Sequence, residues 1–384
     1  MSPTWCRTLA MWLGALLERV YPPAHGEWAR AMQFEIDAVE GDGAALLFAL
    51  GCLWGGCRLT FTAQLTAPKW GARDMIKDFG RLNQPRNVGI ACAFGATSLG
   101  LFYLAAAGAP ALYLVVNAAA FLLGMVALAG FAGAASRGHR LGGAAIALFG
   151  IALLATAVFG ASADGATRWI RFGPLGVQLS LVILPSMMVA YARQPSLAGT
   201  FGIAAAAIAL ALQPDRAMSG VLAAGLTVLA VARPGRLTAS LAMGAAIAFV
   251  VTLARPDALP AVPFVDQILF TAFDVHPLAG PAVVLGSMLL LVPAGAGYLR
   301  DPANRPAYLT FGAAWLGCVL AAALANYPTP VVGYGGSAIL GYLLSLAWLP
   351  APAQAAAQER RAQAREEEDF AGGLHKAVSP ALAR

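Results

Sequence analysis

The sequence predicts an all-α integral membrane protein with several spans. Hydrophobic residues make up 59% of the 384 residues and charged residues only 11%, whereas a soluble domain carries roughly 25% charged residues. Apolar stretches of about 18 to 22 residues recur from Asn87 onward, and each can cross a hydrocarbon core of roughly 30 Å. Because hydrocarbon offers no partner for stranded backbone polar groups, these stretches must be helices.

The apolar runs and their polar breaks give about ten transmembrane helices by the length that a span requires. They lie near 87–107, 110–132, 141–160, 174–192, 197–212, 217–232, 237–253, 279–298, 308–325 and 333–349. The fifth and sixth runs are short, and one re-entrant hairpin around Gln213-Pro214-Asp215 is the alternative interpretation of them.

Lys and Arg near the span ends predict the orientation, since cytoplasmic loops carry the excess of positive charge. One side holds Lys69, Arg73, Lys77, Arg81, Arg86, Arg137, Arg140, Arg193, Arg233, Arg236, Arg300, Arg305, Arg360, Arg361 and Arg365, and the other holds Arg168, Arg171, Arg216 and Arg255. Both termini are therefore expected in the cytoplasm. The net charge of +6 reflects this bias and gives no reason to invoke nucleic acid.

The two ends of the chain differ from the part between them. Residues 1–86 are expected to form amphipathic helices at the cytoplasmic face, joined to the spans by a basic connector over 63–86. Residues 43–61 are apolar enough to be an extra span instead. Residues 351–384 are rich in Ala, Gln, Glu and Arg, and they predict a mobile, solvated tail. The five cysteines have no metal-ligand or disulfide-framework spacing, which favours structural roles.

Polar and charged residues gather at span boundaries on the outer side. The segments 163–180, 212–220 and 326–338 each carry such residues, and the loop 254–278 is long enough to be functional. Arg168 and Arg171 suit a phosphate or pyrophosphate, because the planar guanidinium can bond two oxygens at once. The alternative is that both arginines only anchor the chain at the membrane interface.

Three of these segments carry a family resemblance. They read GATRWIRFGPLGVQ over 165–178, LQPD over 212–215 and PTPVVGYGGSA over 328–338. In this order they resemble the SEDS family, the FtsW/RodA/SpoVE group of membrane glycosyltransferases, whose segments lead into QPSE, contain QPD and open the last span with a SYGGSS turn. The resemblance covers residues 87–350, and ten spans with cytoplasmic termini are also the family arrangement.

The resemblance implies a peptidoglycan glycosyltransferase of the bacterial inner membrane, active in cell division or cell shape. Such an enzyme polymerises a lipid-linked sugar precursor at the outer face and works with a penicillin-binding transpeptidase. An essential aspartate is implied in the loop after the seventh span. Asp257 is the first candidate, Asp266 the second and Asp274 the third, while His276 is interpreted as a loop residue. The substrate-binding candidates in and beside the matching segments are Arg168, Arg171, Gln178, Asp215, Gln267, Tyr334 and Ser337.

The implied chemistry needs a base and a means of stabilising negative charge. The aspartate would remove the proton from an acceptor sugar hydroxyl while a polyprenyl pyrophosphate leaves. Arginines, or alternatively a divalent cation, would offset the charge of the leaving group.

The sequence also departs from the family pattern. QPSE is replaced by Gln178-Leu179-Ser180-Leu181, and Leu184 stands where the family has a lysine. A divergent enzyme and a catalytically degenerate scaffold or regulator are therefore both open hypotheses. A flippase for lipid-linked sugars is a third, less favoured because no pair of Gly/Pro-interrupted spans recurs in corresponding halves.

Overall fold

Helices form nearly all of the secondary structure, as the composition predicts. The computed structural model describes residues 5–21, 25–66, 84–135, 139–163, 166–173, 175–255 and 260–350, in two units, 1–79 and 80–384. The first unit contains α1 (Trp5–Val20), α2 (Gly26–Ala38) and α3 (Asp42–Thr66). The second contains α4 (Pro85–Ala106), α5 (Ala111–Ala135), α6 (His139–Phe159), α7 (Leu179–Arg193), α8 (Leu197–Leu212), α9 (Arg216–Ala232), α10 (Arg236–Leu253), α11 (Ile268–Thr271), α12 (Ala279–Leu289), α13 (Val292–Arg300), α14 (Arg305–Leu324) and α15 (Gly336–Ala347).

Every predicted span contains helix, although the bounds and lengths differ. Six helical stretches in the described residues are long and apolar enough to cross a membrane. The other four, α7, α8, α9 and α15, have 12 to 17 residues. The predicted eighth span consists of two helices, α12 and α13, which meet just before Pro293.

The shortest spans lie inside the bundle. Ten of the 12 residues of α15 are buried, as are 12 of the 15 residues of α7. The two helices approach so closely at Gly341 that a Cβ there would lie 2.1 Å from the carbonyl oxygen of Leu181. A helix surrounded by protein on all sides is apolar all round, which explains why both look like spans in the sequence.

The outer helices present apolar side chains away from the core. Leu122, Leu123 and Val126 are exposed on α5, and Ile247 and Val250 are exposed on α10. Exposed apolar surface on this scale is typical of contact with lipid tails rather than water. The chain is therefore a multi-pass α-helical membrane protein.

A small antiparallel sheet interrupts the helices between α6 and α7. Its strands are β1 (Ala161–Ala163), β2 (Ala166–Phe172) and β3 (Leu175–Gln178), in the order β1-β2-β3. Gly173, with φ of +60°, provides the positive φ of the turn between β2 and β3. The prediction of a span over 174–192 was therefore wrong at its start, because 175–178 pairs with β2 and the helix begins at Leu179.

The first unit is a packed three-helix assembly with its own core. That core consists of Ala10, Leu17, Tyr21, Ala29, Ile36, Ala45, Ala49 and Cys52. Arg7 ties the helices together, because its Nε lies 3.0 Å from Asp42 Oδ1 and its Nη atoms donate to the carbonyls of Ile36 and Val39. The helices expected at the cytoplasmic face thus pack on one another, while Trp12 and Phe34 remain exposed.

Candidate functional site

The sheet places the two candidate arginines on opposite faces of β2. Successive side chains of a strand alternate between faces, and Arg168 and Arg171 are three residues apart. Arg168 is only 3% exposed, whereas Arg171 is exposed. The structure therefore separates the pair: Arg168 enters the protein interior, and Arg171 faces outward.

Asp215 gathers the buried polar groups from three segments. Its Oδ2 accepts hydrogen bonds from Ser180 Oγ at 2.8 Å and from Gln178 Nε2 at 3.1 Å. Its Oδ1 accepts the backbone N–H of Met218 at 3.2 Å and lies 3.8 Å from Arg168 Nη1. Asp215 is fully buried, so this carboxylate needs all four partners to offset its lost hydration.

The position of Asp215 follows from helix-capping rules. Aspartate at the residue before a helix can accept a backbone N–H from the first turn, and a negative charge there is favoured by the helix dipole. Asp215 is this N-cap residue of α9. Gln178 and Asp215 were predicted as site residues from the sequence, but Ser180 was not, since one serine in an apolar helix forms no recognisable pattern.

The turn before α15 connects to this cluster. Ser337 Oγ accepts the backbone N–H of Gln178 at 3.1 Å. Asn117 on α5 holds the turn from the other side, donating to the carbonyl of Gly333 at 2.9 Å and accepting the N–H of Gly335 at 3.1 Å. Gly335 has φ of +146°, which L side chains rarely adopt. Asn117 was also missed by the sequence analysis.

Tyr334 lies where this turn meets the loop after α10. Its ring stacks on Tyr113 with centroids 3.6 Å apart and planes at 8°. Its backbone N–H donates to the carbonyl of Phe264 at 2.7 Å. The turn and the loop after α10 are therefore joined by backbone hydrogen bonds, and Tyr334 marks the point of contact.

Asp266 sits in that joined region. It pairs with Pro328 in an isolated antiparallel bridge, and its Oδ2 accepts the backbone N–H of Val262 at 2.8 Å. The residue is 9% exposed, and Oδ1 is buried without a hydrogen-bond partner. Burial raises the pKa of the Asp266 carboxyl, against a smaller lowering by the Val262 hydrogen bond. A carboxylate with a free oxygen and a raised pKa is suited to accept a proton.

The other candidates from this loop have different surroundings from Asp266. Gln267 adopts φ of +56° and donates from Nε2 to Asn326 Oδ1 at 2.5 Å. Asp274 is exposed, and His276 is exposed with Nδ1 accepting the N–H of Leu278. Asp257, the first candidate from sequence, lies outside the described residues.

The described residues offer little for a metal ion. Among them, no group of three or more His, Cys, Asp or Glu side chains could hold one. The described part of the site therefore supplies no such ligand set for a divalent cation.

Comparisons with known proteins give a likeness in structure. No protein-family model and no curated sequence matches this chain. Among solved structures, the rod shape determining protein RodA of Thermus thermophilus matches with a TM-score of 0.46 and 18% identity, over 67% of this chain and 93% of that chain. A mutant of the same protein matches with a TM-score of 0.45 and 19% identity, over 67% and 94% of the two chains. This chain is thus similar to RodA over about two thirds of its length.

Proposed function

We propose that this protein is a SEDS-like glycosyltransferase that extends a glycan from a lipid-linked precursor at the outer face of the inner membrane. One observation carries the proposal: the polar residues of the three resembling segments come together at one end of the helix bundle. Arg168, Gln178 and Asp215 are in direct contact, and Ser337 is bonded to the backbone of Gln178.

The proposed base is Asp266, whose surroundings are described, while Asp257 lies outside the described residues and stays a prediction. Asp266 is buried beside the turn that opens α15, and it has one carboxylate oxygen without a partner. It would take the proton of the acceptor hydroxyl. The acceptor oxygen would then bond to the anomeric carbon of the donor, and the bond from that carbon to the pyrophosphate would break.

We propose that an exposed arginine offsets the negative charge of the pyrophosphate leaving group. Arg168 lies beside Asp215, so its charge is already matched. Arg171 is exposed on β2 and is the residue of the pair that remains available for a pyrophosphate.

A non-catalytic scaffold is the second candidate function. The specific observation in its favour is the Asp215 cluster, whose charged and amide groups bond to each other in the protein interior. Such a cluster can fix how the three segments meet without needing a substrate.

The experiment that separates the two is a polymerisation assay with purified full-length protein and lipid II, with and without a penicillin-binding transpeptidase. Glycan chains of more than one disaccharide would support the enzyme. If neither condition gives polymer, and thermal unfolding shows that the protein is folded, the result would favour the scaffold.

A further inference from the structure

An apolar groove runs along the outside of the bundle between α8 and α10. Its volume is about 590 Å³. The α8 side is lined by Ile203, Ala204, Ala207, Ile208, Ala211 and Leu212, and the α10 side extends from Ser240 to Val251, with Arg255 at the end. Gly244 keeps the groove open, since a Cβ there would meet nothing within 4 Å.

Two arginines stand at one end of this groove. Arg255 Nη1 donates to the carbonyls of Ala211 and Leu212 at 2.9 and 3.2 Å, and Arg216 Nη2 donates to the carbonyl of Arg255 at 2.9 Å. Arg216 follows Asp215 in the chain, so this is the end of the bundle that holds the candidate site.

These arginines retain binding capacity for an anion. A guanidinium has five N–H donors, and the hydrogen bonds to Ala211, Leu212 and Arg255 use only some of them. Arg216 Nε is buried with no hydrogen-bond partner. Within the described residues, neither arginine has an acidic partner. Two neighbouring cations repel each other, and a phosphate between them would remove that cost.

The groove is longer than one leaflet is thick. Ser240 and Arg255 are separated by a helical rise of roughly 22 Å at ~1.5 Å per residue, and half of a hydrocarbon core of roughly 30 Å is ~15 Å. A single acyl chain therefore fits, whereas a much longer polyprenyl tail would extend beyond the groove.

From this geometry we infer a binding site for an anionic glycerophospholipid, with one acyl chain between α8 and α10 and its phosphate at Arg216 and Arg255. Lipid binding at this site does not require glycosyltransferase activity, so the inference is independent of the proposed function. By the charge distribution of the loops, the lipid belongs to the outer leaflet.

Native mass spectrometry of the full-length protein with phosphatidylglycerol and, separately, phosphatidylcholine tests this site. Wild type should retain one phosphatidylglycerol in preference to phosphatidylcholine. Arg255→Gln should weaken retention of phosphatidylglycerol by about tenfold, the loss expected for a charge-assisted hydrogen bond. Gly244→Leu should weaken both lipids, because its side chain occupies the groove.

Matched controls use the same chemistry elsewhere. Arg236→Gln removes a charge at the other end of α10, and Gly130→Leu fills open space on α5, where a Cβ also meets nothing within 4 Å. Both should retain lipid as wild type does. The inference is overturned if all four variants behave alike, if wild type shows no headgroup preference, or if undecaprenyl phosphate displaces phosphatidylglycerol from this groove at equal concentration.

Discussion

Asp215 is the residue on which the end of the bundle that holds the candidate site depends. It is fully buried, and it contacts groups from β2, from the start of α7 and from α9. A buried pair of charges adds little net stability when intact, but breaking it leaves an uncompensated charge in the interior. The cluster is therefore expected to fix how these elements meet.

Replacing Asp215 should strongly destabilise the protein. Asp215→Ala leaves the guanidinium of Arg168, which is 3% exposed, without its carboxylate, and the expected cost is about 3–5 kcal/mol. Thermal unfolding in detergent measures this cost. The matched comparison is Arg171→Ala on the exposed face of the same strand, which should change stability by about 0.5 kcal/mol or less.

A double-mutant cycle tests whether loss of the Arg168–Asp215 ion pair causes this destabilisation. Arg168→Met should cost much less in an Asp215→Ala background than in wild type, because the two residues share one interaction. Simple additivity of the two changes would contradict the role given to this ion pair.

If Asp266 is the base, its raised pKa determines how the polymerisation rate depends on pH. Its pKa lies above the ordinary value of 3.8 because of burial, and a base acts only when ionised. Polymerisation should therefore rise with pH through the raised pKa, so that the acid limb lies above pH 3.8. A rate profile with its acid limb at the ordinary aspartate value would argue against Asp266.

The same pKa has a consequence for stability. The folded protein holds this proton more tightly than the unfolded chain, so Asp266 should lower stability as pH rises from 3.8 through the raised pKa. Asp266→Asn should remove this part of the pH dependence of thermal unfolding, while Asp274→Asn should leave it unchanged.

The type of a residue can mark it in the sequence as a candidate site residue, but it does not show which other residues it contacts in the fold. Arginine and aspartate at span boundaries stand out because charge is costly there, which is why Arg168 and Asp215 were recognised. Asn117 and Ser180 are short polar side chains within apolar helices, and only the fold shows that they reach Gly333 and Asp215.

At the scale of elements, close packing of α7 against α15 holds the core together. Gly341 lies where the two helices touch, so any added side chain must push them apart. Gly341→Ala should be destabilising by about 1–3 kcal/mol, as expected for overpacking. Gly130→Ala, in open space on α5, should be neutral or stabilising by up to about 1 kcal/mol. Equal thermal shifts in the two variants would contradict this packing.

The helices were predictable from sequence, and the sheet was not. Long apolar runs directly reflect the need for helices in lipid, and each predicted span contains helix. The strands of residues 161–178 are short, with three to seven residues each, and they form only by pairing with each other. Leu175 and Val177 were therefore assigned to the next helix by their hydrophobicity alone.

For the whole molecule, the distribution of Lys and Arg predicts the orientation. Reporters fused after Arg384 and at Arg137-Gly138 should both read as cytoplasmic, and one within 258–262 should read as external. With this predicted orientation, the Asp215 cluster, the Asp266 loop and the two-arginine end of the groove would lie on the outer side. A cytoplasmic signal from 258–262 would reverse the orientation and remove the proposed access of Asp266 to an outer-leaflet substrate.

The first unit adds a part that the family resemblance does not cover. Its sequence predicted helices lying on or dipping into the cytoplasmic face. The first is apolar with charges at its ends, the second is amphipathic, and the third is apolar and rich in Gly. The packing of Ile36 and Leu17 in a shared core could not be read from single-helix patterns, since it depends on how three helices meet.

The most direct test of the central claim compares two aspartates of one loop in the lipid II polymerisation assay. Asp266→Asn keeps the shape of the side chain and removes the base, so the rate should fall by about 10²–10⁴. Asp274→Asn, which changes an exposed carboxyl in the same way, should remain close to wild type. An Asp266→Asn protein that is folded, inserted and polymerises at the wild-type rate would contradict the account.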